Sequence, residues 1–132
     1  MKRYIVLYLA TLLVMLPLDL VFLGLLAKDF FQTQVGDMLG QVRPVPAIMF
    51  YLLYPVGIVI FASAGAADWK SALTYGALFG LFCYATFELT ALALLKHWTW
   101  PVVVLDISWG MVVTGATAAL GLLLSNWIMA KL

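Results

Sequence analysis

Apolar residues fill four long stretches of the chain, and most charged residues lie in the joints between them or at the chain ends. Each stretch is long enough to cross the ~30 Å apolar core of a bilayer as an α-helix, which needs about 20 residues. The stretches cover about residues 4–27, 45–66, 71–95 and 101–130. This pattern predicts an all-α polytopic membrane protein, in which residues 1–132 form a single transmembrane domain with four transmembrane helices in an up-down bundle.

The joint at residues 28–43 is the longest, and its apolar residues recur at helical spacing. They are Phe31, Val35, Met38, Leu39 and Val42, and Gln32, Gln34, Asp37 and Gln41 lie largely between them. This spacing predicts a short amphipathic interfacial helix on the membrane surface, between the first and second spans. A lid that covers a site is the alternative interpretation of the same segment.

Composition narrows the class of protein further. Hydrophobic residues make up 66% of the chain and charged residues only 10%, whereas about 25% of the residues of a soluble domain are charged. The chain therefore lacks the charged surface that would cover a soluble core. Its net charge of +1 provides no basic face, so no nucleic-acid partner is expected. The partners left open are membrane lipid, a second copy of the chain in a homodimer, and another membrane protein.

Small residues predict where the helices approach each other closely. Gly76 and Gly80 form a GxxxG pair in the third span, and Gly110 opens a second small-residue face in the fourth. Tyr84 and Glu88 continue the row of Gly76 and Gly80 at intervals of four residues. We therefore expect the three glycines to pack against neighbouring helices, with Glu88 near a packed face.

Three of the predicted spans contain an acid, although a carboxylate near the bilayer centre costs about 2.5–3.5 kcal/mol on insertion scales. At about 1.5 Å per residue, Asp19 and Glu88 lie about 13 and about 12 Å below the nearest polar joint, and Asp106 about 7–8 Å. Because successive helices alternate in direction, all three fall in the same half of the membrane. An acid retained at such a depth indicates a functional site.

Aromatic residues fall in or next to the same layer. Tyr51 and Tyr54 lie about 8 and about 12 Å deep, and Tyr84 and Trp109 lie at or just beyond the floor of the layer. The predicted ligand-binding residues are Asp19, Tyr51, Tyr54, Tyr84, Glu88, Asp106 and Trp109.

Several kinds of site would use such a layer. A packed hydrogen-bond network would only join helices, whereas a functional site would bind a proton, a cation or a polar headgroup. A metal site would combine the three acids with His97. The chain has one histidine and no His-x-x-His or Glu-x-x-His pair, so neither a metal nor a cofactor is predicted. No GxSxG segment occurs, and the sequence favours a protein that is not an enzyme.

Three segments resemble a known family. They are FYLLYPVGIVIFA at residues 50–62, YGALFGLFCYATFELTALALLKHW at residues 75–98 and DISWG at residues 106–110. Their order resembles the small membrane proteins grouped as domain of unknown function 2177, over about the whole chain. The resemblance implies four helices in a prokaryotic membrane and no established activity. The family pattern has Asp at the position of Glu88 and Asn at that of Ala91, so the carboxyl is retained here and an amide is not.

Basic residues give a small bias in orientation. With the N-terminus inside, the cytoplasmic side carries Lys2, Arg3, Lys70 and Lys131, and the outside carries Lys28, Arg43 and Lys96. Positive residues are enriched on the cytoplasmic side of membrane proteins. We therefore expect a protein integral to the cell membrane, the prokaryotic inner membrane by the resemblance, with both termini cytoplasmic.

The predicted function is that of a small integral membrane protein whose carboxylate–tyrosine site binds a proton, a cation or a polar lipid headgroup. Three alternatives remain open. The first is a proton-coupled small dimeric transporter, for which a near-zero charge bias suits insertion in both orientations. The others are a membrane-embedded lipid-modifying enzyme, with the acids as bases or metal ligands, and a structural subunit of a membrane complex.

Overall fold

The computed structural model of the protein describes residues 1–40 and 43–132, except for the side chain of Leu26. Every element that these residues form is helical. The α-helices are α1 (Lys2–Val21), α2 (Lys28–Val35), α3 (Pro44–Ile58), α4 (Trp69–Leu94) and α5 (Trp100–Lys131). A short 3₁₀ turn at Gly36–Met38 follows α2. Gln41 and Val42, which belong to the predicted amphipathic helix, lie outside the described residues.

Four helical segments are long and apolar enough to cross a membrane. They are Lys2–Leu25, Pro44–Ser63, Trp69–Leu94 and Trp100–Lys131. The prediction of an all-helical chain with four apolar helices is confirmed for the described residues. The bounds differ by a few residues from those predicted, because hydropathy alone does not mark a helix end. For example, α4 begins at Trp69 because the Asp68 side chain accepts a hydrogen bond from the backbone N–H of Ser71 at 2.9 Å.

Local sequence explains the starts of the other helices after the joints. Pro44 and Pro101 lie in the first turns of α3 and α5, where the missing N–H of proline has no helical partner to lose. The hydrogen bond from Ser71 to Asp68 stabilises the charged form of that carboxyl and holds its pKa below the usual value.

Both helices with an internal proline continue into π-helical turns. Pro17 lies inside α1, which is followed by π-helical turns at Phe22–Ala27. Pro55 lies inside α3, which is followed by π-helical turns at Val59–Ser63. Internal prolines and π-helical turns are both recognised sources of bends in long helices. By contrast, α4 and α5 run without an interior proline or a π-helical turn.

Glycines bring α4 and α5 into backbone contact. A Cβ atom added to Gly80 would collide with the backbone carbonyl of Gly110. A Cβ atom added to Gly76 would lie 2.8 Å from the carbonyl oxygen of Thr114. Neither position has room for a side-chain atom. The two helices could therefore not lie this close if either glycine carried a side chain. The GxxxG face of α4 is therefore packed inside the bundle, against α5.

The remaining helices pack around this pair. Thr11 of α1 lies against Gly121 of α5, and the buried apolar core includes Leu7, Ile58 and Leu122. Many large apolar side chains are nevertheless exposed on the outside of the four long helices. They include Leu9, Leu13, Leu53, Ile60, Phe82 and Trp127. An apolar outer surface of this extent is what a protein surrounded by lipid presents, and it would be unstable in water.

Candidate functional site

Asp19 of α1 is held by aromatic donors from two other helices. Its carboxyl accepts a hydrogen bond from the Tyr51 hydroxyl of α3 at 2.5 Å and another from the Trp109 indole of α5 at 3.1 Å. The indole is held in turn by Phe22, whose ring stacks on it at a centroid distance of 4.2 Å. The Asp19 side chain is 7% exposed. One buried acid thus joins three helices through two hydrogen bonds.

Glu88 of α4 forms a second centre with a tryptophan from the following joint. The residue is completely buried, and its Oε1 atom accepts a hydrogen bond from the Trp98 indole at 2.8 Å. Phe87 contacts the same indole edge to face, at a centroid distance of 6.2 Å. The other carboxyl oxygen of Glu88, Oε2, is buried without a hydrogen-bond donor among the described residues. A buried polar atom without a partner is costly, so this oxygen is a feature that requires an explanation.

Asp106 of α5 is the acidic neighbour of Glu88. Its carboxyl lies close enough to the Glu88 and Asp19 carboxyls for their charges to interact. Asp106 is half-buried, whereas Glu88 is fully buried. Two acids of adjacent helices therefore meet inside the bundle, and the third lies within electrostatic range of them.

A cleft between α3, α4 and α5 leads to Asp106. Its volume is about 390 Å³, and it is partly open to the surroundings. The lining residues are Phe50, Tyr54, Cys83, Tyr84, Phe87 and Asp106. The Tyr54 hydroxyl is hydrogen-bonded to the Thr114 hydroxyl at 2.8 Å. The ring of Tyr84 covers Gly110, where any side chain would collide with it. The walls of the cleft are thus almost entirely apolar or aromatic, and the exception is one carboxyl.

Within residues 1–40 and 43–132, no basic side chain forms an ion pair with Asp19, Glu88 or Asp106. The one pairing of an acid with a lysine, arginine or histidine found there joins His97 to Asp37 at 4.0 Å, and both side chains are exposed. The acid that His97 meets is therefore not one of the three in the predicted layer. Among the described residues, no group of three or more His, Cys, Asp or Glu side chains is arranged to hold a metal ion.

A comparison of the sequence with models of protein families identifies the family of the chain. The model of a family described as predicted membrane protein (DUF2177) matches residues 4–123. The chain belongs to this family. The match covers the four apolar helices except for the first two residues of α1 and the end of α5, and it includes Asp19, Glu88 and Asp106. Neither a search of curated proteins nor a search of solved structures found a match.

The predicted site residues of this DUF2177 chain lie in two neighbouring centres. Tyr51 and Trp109 both donate hydrogen bonds to Asp19 in the first centre, and Glu88 and Asp106 form the second. Tyr54 and Tyr84 line the cleft next to Asp106, with their rings edge to face at 6.1 Å.

Sequence reasoning missed several residues of the site. Trp98 is absent from the predicted site residues, although its indole donates a hydrogen bond to Glu88. Phe50, Phe87 and Cys83 line the cleft but carry no polar signal inside an apolar helix. The position of Phe87 beside Glu88 in the sequence was the only available indication of its place. Trp98 offered none, because it is separated from Glu88 by a helix end.

Proposed function

We propose that this membrane protein contains a reversible proton-binding site formed by the carboxyls of Glu88 and Asp106. The observation that carries the proposal is the meeting of two carboxyls, because Asp106 neighbours Glu88, whose Oε2 atom is buried without a described donor. Two carboxylates cannot hydrogen-bond to each other, because both are acceptors only. One proton between the two groups supplies the missing donor and removes their mutual repulsion.

The surrounding charges support a cationic ligand over an anionic one. No described basic side chain pairs with Asp19, Glu88 or Asp106. The charge of ionised acids in a low-dielectric layer must be compensated, and a proton or another cation can do so. A phosphate group would instead meet carboxylates without a basic residue to bind it. Proton binding therefore accounts for the site better than binding of a phospholipid headgroup through its phosphate.

For the whole chain we propose an up-down bundle in the prokaryotic inner membrane, with both termini cytoplasmic and α2 at the interface. The contacts between α4 and α5 support opposite directions for these helices, since Gly76 lies near Ala118 and Gly80 near Gly110. The interfacial position of α2 is supported by its hydrogen bond to the α4–α5 joint, from the Thr99 hydroxyl to the Gln34 side chain at 3.0 Å. The orientation is supported by the basic residues alone.

Carbodiimide labelling tests the proposed proton site. Dicyclohexylcarbodiimide partitions into membranes and reacts with protonated carboxyls there. In the purified protein, mapped by mass spectrometry, we expect labelling at Glu88 or Asp106. The labelling should decrease as the pH is raised, because loss of the proton removes the form that reacts.

Variants provide the controls for this experiment. Glu88→Gln and Asp106→Asn keep the shape and hydrogen-bonding capacity of each side chain but cannot ionise, so each should reduce the labelling. Asp29→Asn changes an exposed acid of α2 and should leave the labelling of the pair unchanged. Labelling that is absent from both acids, that occurs at Asp19 instead, or that does not change with pH would contradict the proposal.

A further inference from the structure

The cleft beside Asp106 combines an apolar wall with one acidic group. Its volume of about 390 Å³ is at the lower end of the range of about 300–1,000 Å³ that is typical of small-molecule sites. Five of its six lining residues are Phe, Tyr or Cys, and the sixth is Asp106. Tyr54 joins α3 to α5 through its hydrogen bond to Thr114, but the apolar rings of Phe50 and Phe87 are not needed for a network of that kind.

We infer that this cleft binds an apolar organic cation, whose positive charge takes the place of the proton on the Glu88–Asp106 pair. The inference rests on the proton site proposed above and names the class of ligand that it exchanges for the proton. Charge complementarity favours a cation over other apolar ligands. A neutral acyl chain would pack against the apolar wall but would leave the negative charge of the acid uncompensated. An anion would be repelled by that charge.

The aromatic rings of the cleft suit a cation of this kind. Phe50 and Tyr54 are stacked with their centroids 5.2 Å apart, and Tyr84 meets Tyr54 edge to face at 6.1 Å. A cation within about 6 Å of the face of such a ring is attracted by the negative electrostatic potential of the π-system. The rings therefore contribute apolar contact area, and any ring face that is turned to the ligand adds attraction for positive charge.

The position of the cleft gives such a ligand a route from the membrane. Phe50 and Phe87 line the cleft and are also exposed on the outer surface of α3 and α4. An apolar cation partitions into the membrane more readily than a hydrated metal ion does, so it can reach Asp106 from the side.

Exchange for a proton makes the binding dependent on pH. The titratable groups that face Asp106 come from three neighbouring helices. They are Glu88, Cys83 and Tyr84 of α4, Tyr54 of α3 and Asp19 of α1. The cation is expected to bind more tightly as the pH rises and the carboxyl pair loses its proton, which then passes to water.

Two ions of nearly the same shape and opposite charge provide the test. Tetraphenylphosphonium and tetraphenylborate are added to the purified protein in nanodiscs, and their binding is measured by equilibrium dialysis against empty nanodiscs. We expect saturable binding of the phosphonium ion, weaker at low pH, with protection of the acids from carbodiimide. The borate ion should show no saturable binding. Asp106→Asn should weaken the binding of the phosphonium ion about tenfold or more.

A matched pair of α4 variants tests the role of the cleft wall. Phe87→Leu removes a ring that lines the cleft, and Phe82→Leu removes a ring that does not. These side chains are 57% and 66% exposed, respectively. We expect Phe87→Leu to weaken phosphonium binding about threefold to thirtyfold and Phe82→Leu to leave it unchanged.

The outcomes separate the two proposals. Equal binding of both ions, or phosphonium binding that does not change with pH, would show a groove for any apolar molecule and would overturn the inference. Carbodiimide labelling that depends on pH, without saturable phosphonium binding, would overturn the inference and leave the proton site standing. Loss of both signals would contradict both. If Asp106→Asn does not fold, the comparison of the two ions on the unaltered chain decides.

Discussion

One indole at the joint between α4 and α5 supplies the hydrogen bond that the buried Glu88 carboxyl receives. Trp98 lies ten positions further along the chain, beyond the end of α4 at Leu94. The joint must therefore turn back over the helix for the indole to point into the bundle. Phe87 supports this arrangement by packing against the indole. A single residue outside the long helices thus donates the hydrogen bond that one carboxyl oxygen of Glu88 accepts.

Replacing this indole should cost more than replacing a neighbouring one. Trp98→Phe keeps an aromatic ring against Phe87 but removes the donor to Glu88, and we expect a loss of about 1–3 kcal/mol of stability. Trp100→Phe is the control, because its side chain is 64% exposed and its loss should change stability by less than about 0.5 kcal/mol. Thermal unfolding in detergent, followed by circular dichroism, would measure both. Equal changes in Tm for the two variants would contradict this role of Trp98.

The rise per residue of a helix is enough to predict that Asp19 and Tyr51 fall in the same half of the membrane. It is not enough to predict the hydrogen bond that the structure shows between them. Which donor meets which carboxyl depends on the rotation of each helix about its axis. Hydropathy does not determine that rotation when a helix is apolar on all sides, because no face is marked as the inner one. The role of Trp98 depends in addition on the path of a joint.

At the scale of elements, α4 and α5 form the closest pair in the bundle. Gly76 and Gly80 mark the contact face on α4, which the sequence motif could indicate. The motif could not identify the partner, since any helix with a small face would fit it. In the structure the partner is α5. The Tyr84 ring of α4 covers Gly110 of that helix.

Enlarging a glycine in this contact should therefore separate two helices. Gly80→Leu would place a side chain against the Gly110 backbone, and overpacking of this kind typically costs about 1–3 kcal/mol. Gly24→Leu is the control, because a Cβ atom there meets nothing within 4 Å. The melting temperature in detergent should fall for the first variant and stay within error for the second. A similar Tm for both would mean that α4 and α5 do not depend on this contact.

At the scale of the whole molecule, the apolar outer surface and the scarcity of charge indicate a membrane environment. The basic residues give only a small bias for one orientation in that membrane. The expected cytoplasmic side holds four basic residues and the opposite side three. We expect both termini to be cytoplasmic, because positive residues are retained on that side during insertion. Reporter fusions at Leu132 and within residues 28–43 should therefore give opposite signals. Mixed signals at both positions would contradict a single orientation and would indicate insertion in both directions.

The close contact of α4 with α5 at Gly76 and Gly80 has a consequence for how the helices can move. Because their backbones are in contact and neither contains a bend-prone turn, we expect α4 and α5 to move as one stiff plate that carries Glu88 and Asp106. The helices that carry Asp19 and Tyr51 both contain an internal proline and π-helical turns, and these provide hinges. Any motion that opens the acids to one side of the membrane would therefore be a flexing of α1 and α3 against a fixed α4–α5 plate. Its measurable sign would be a change in the separation of Asp19 from Asp106, while the distance between Glu88 and Asp106 stays constant.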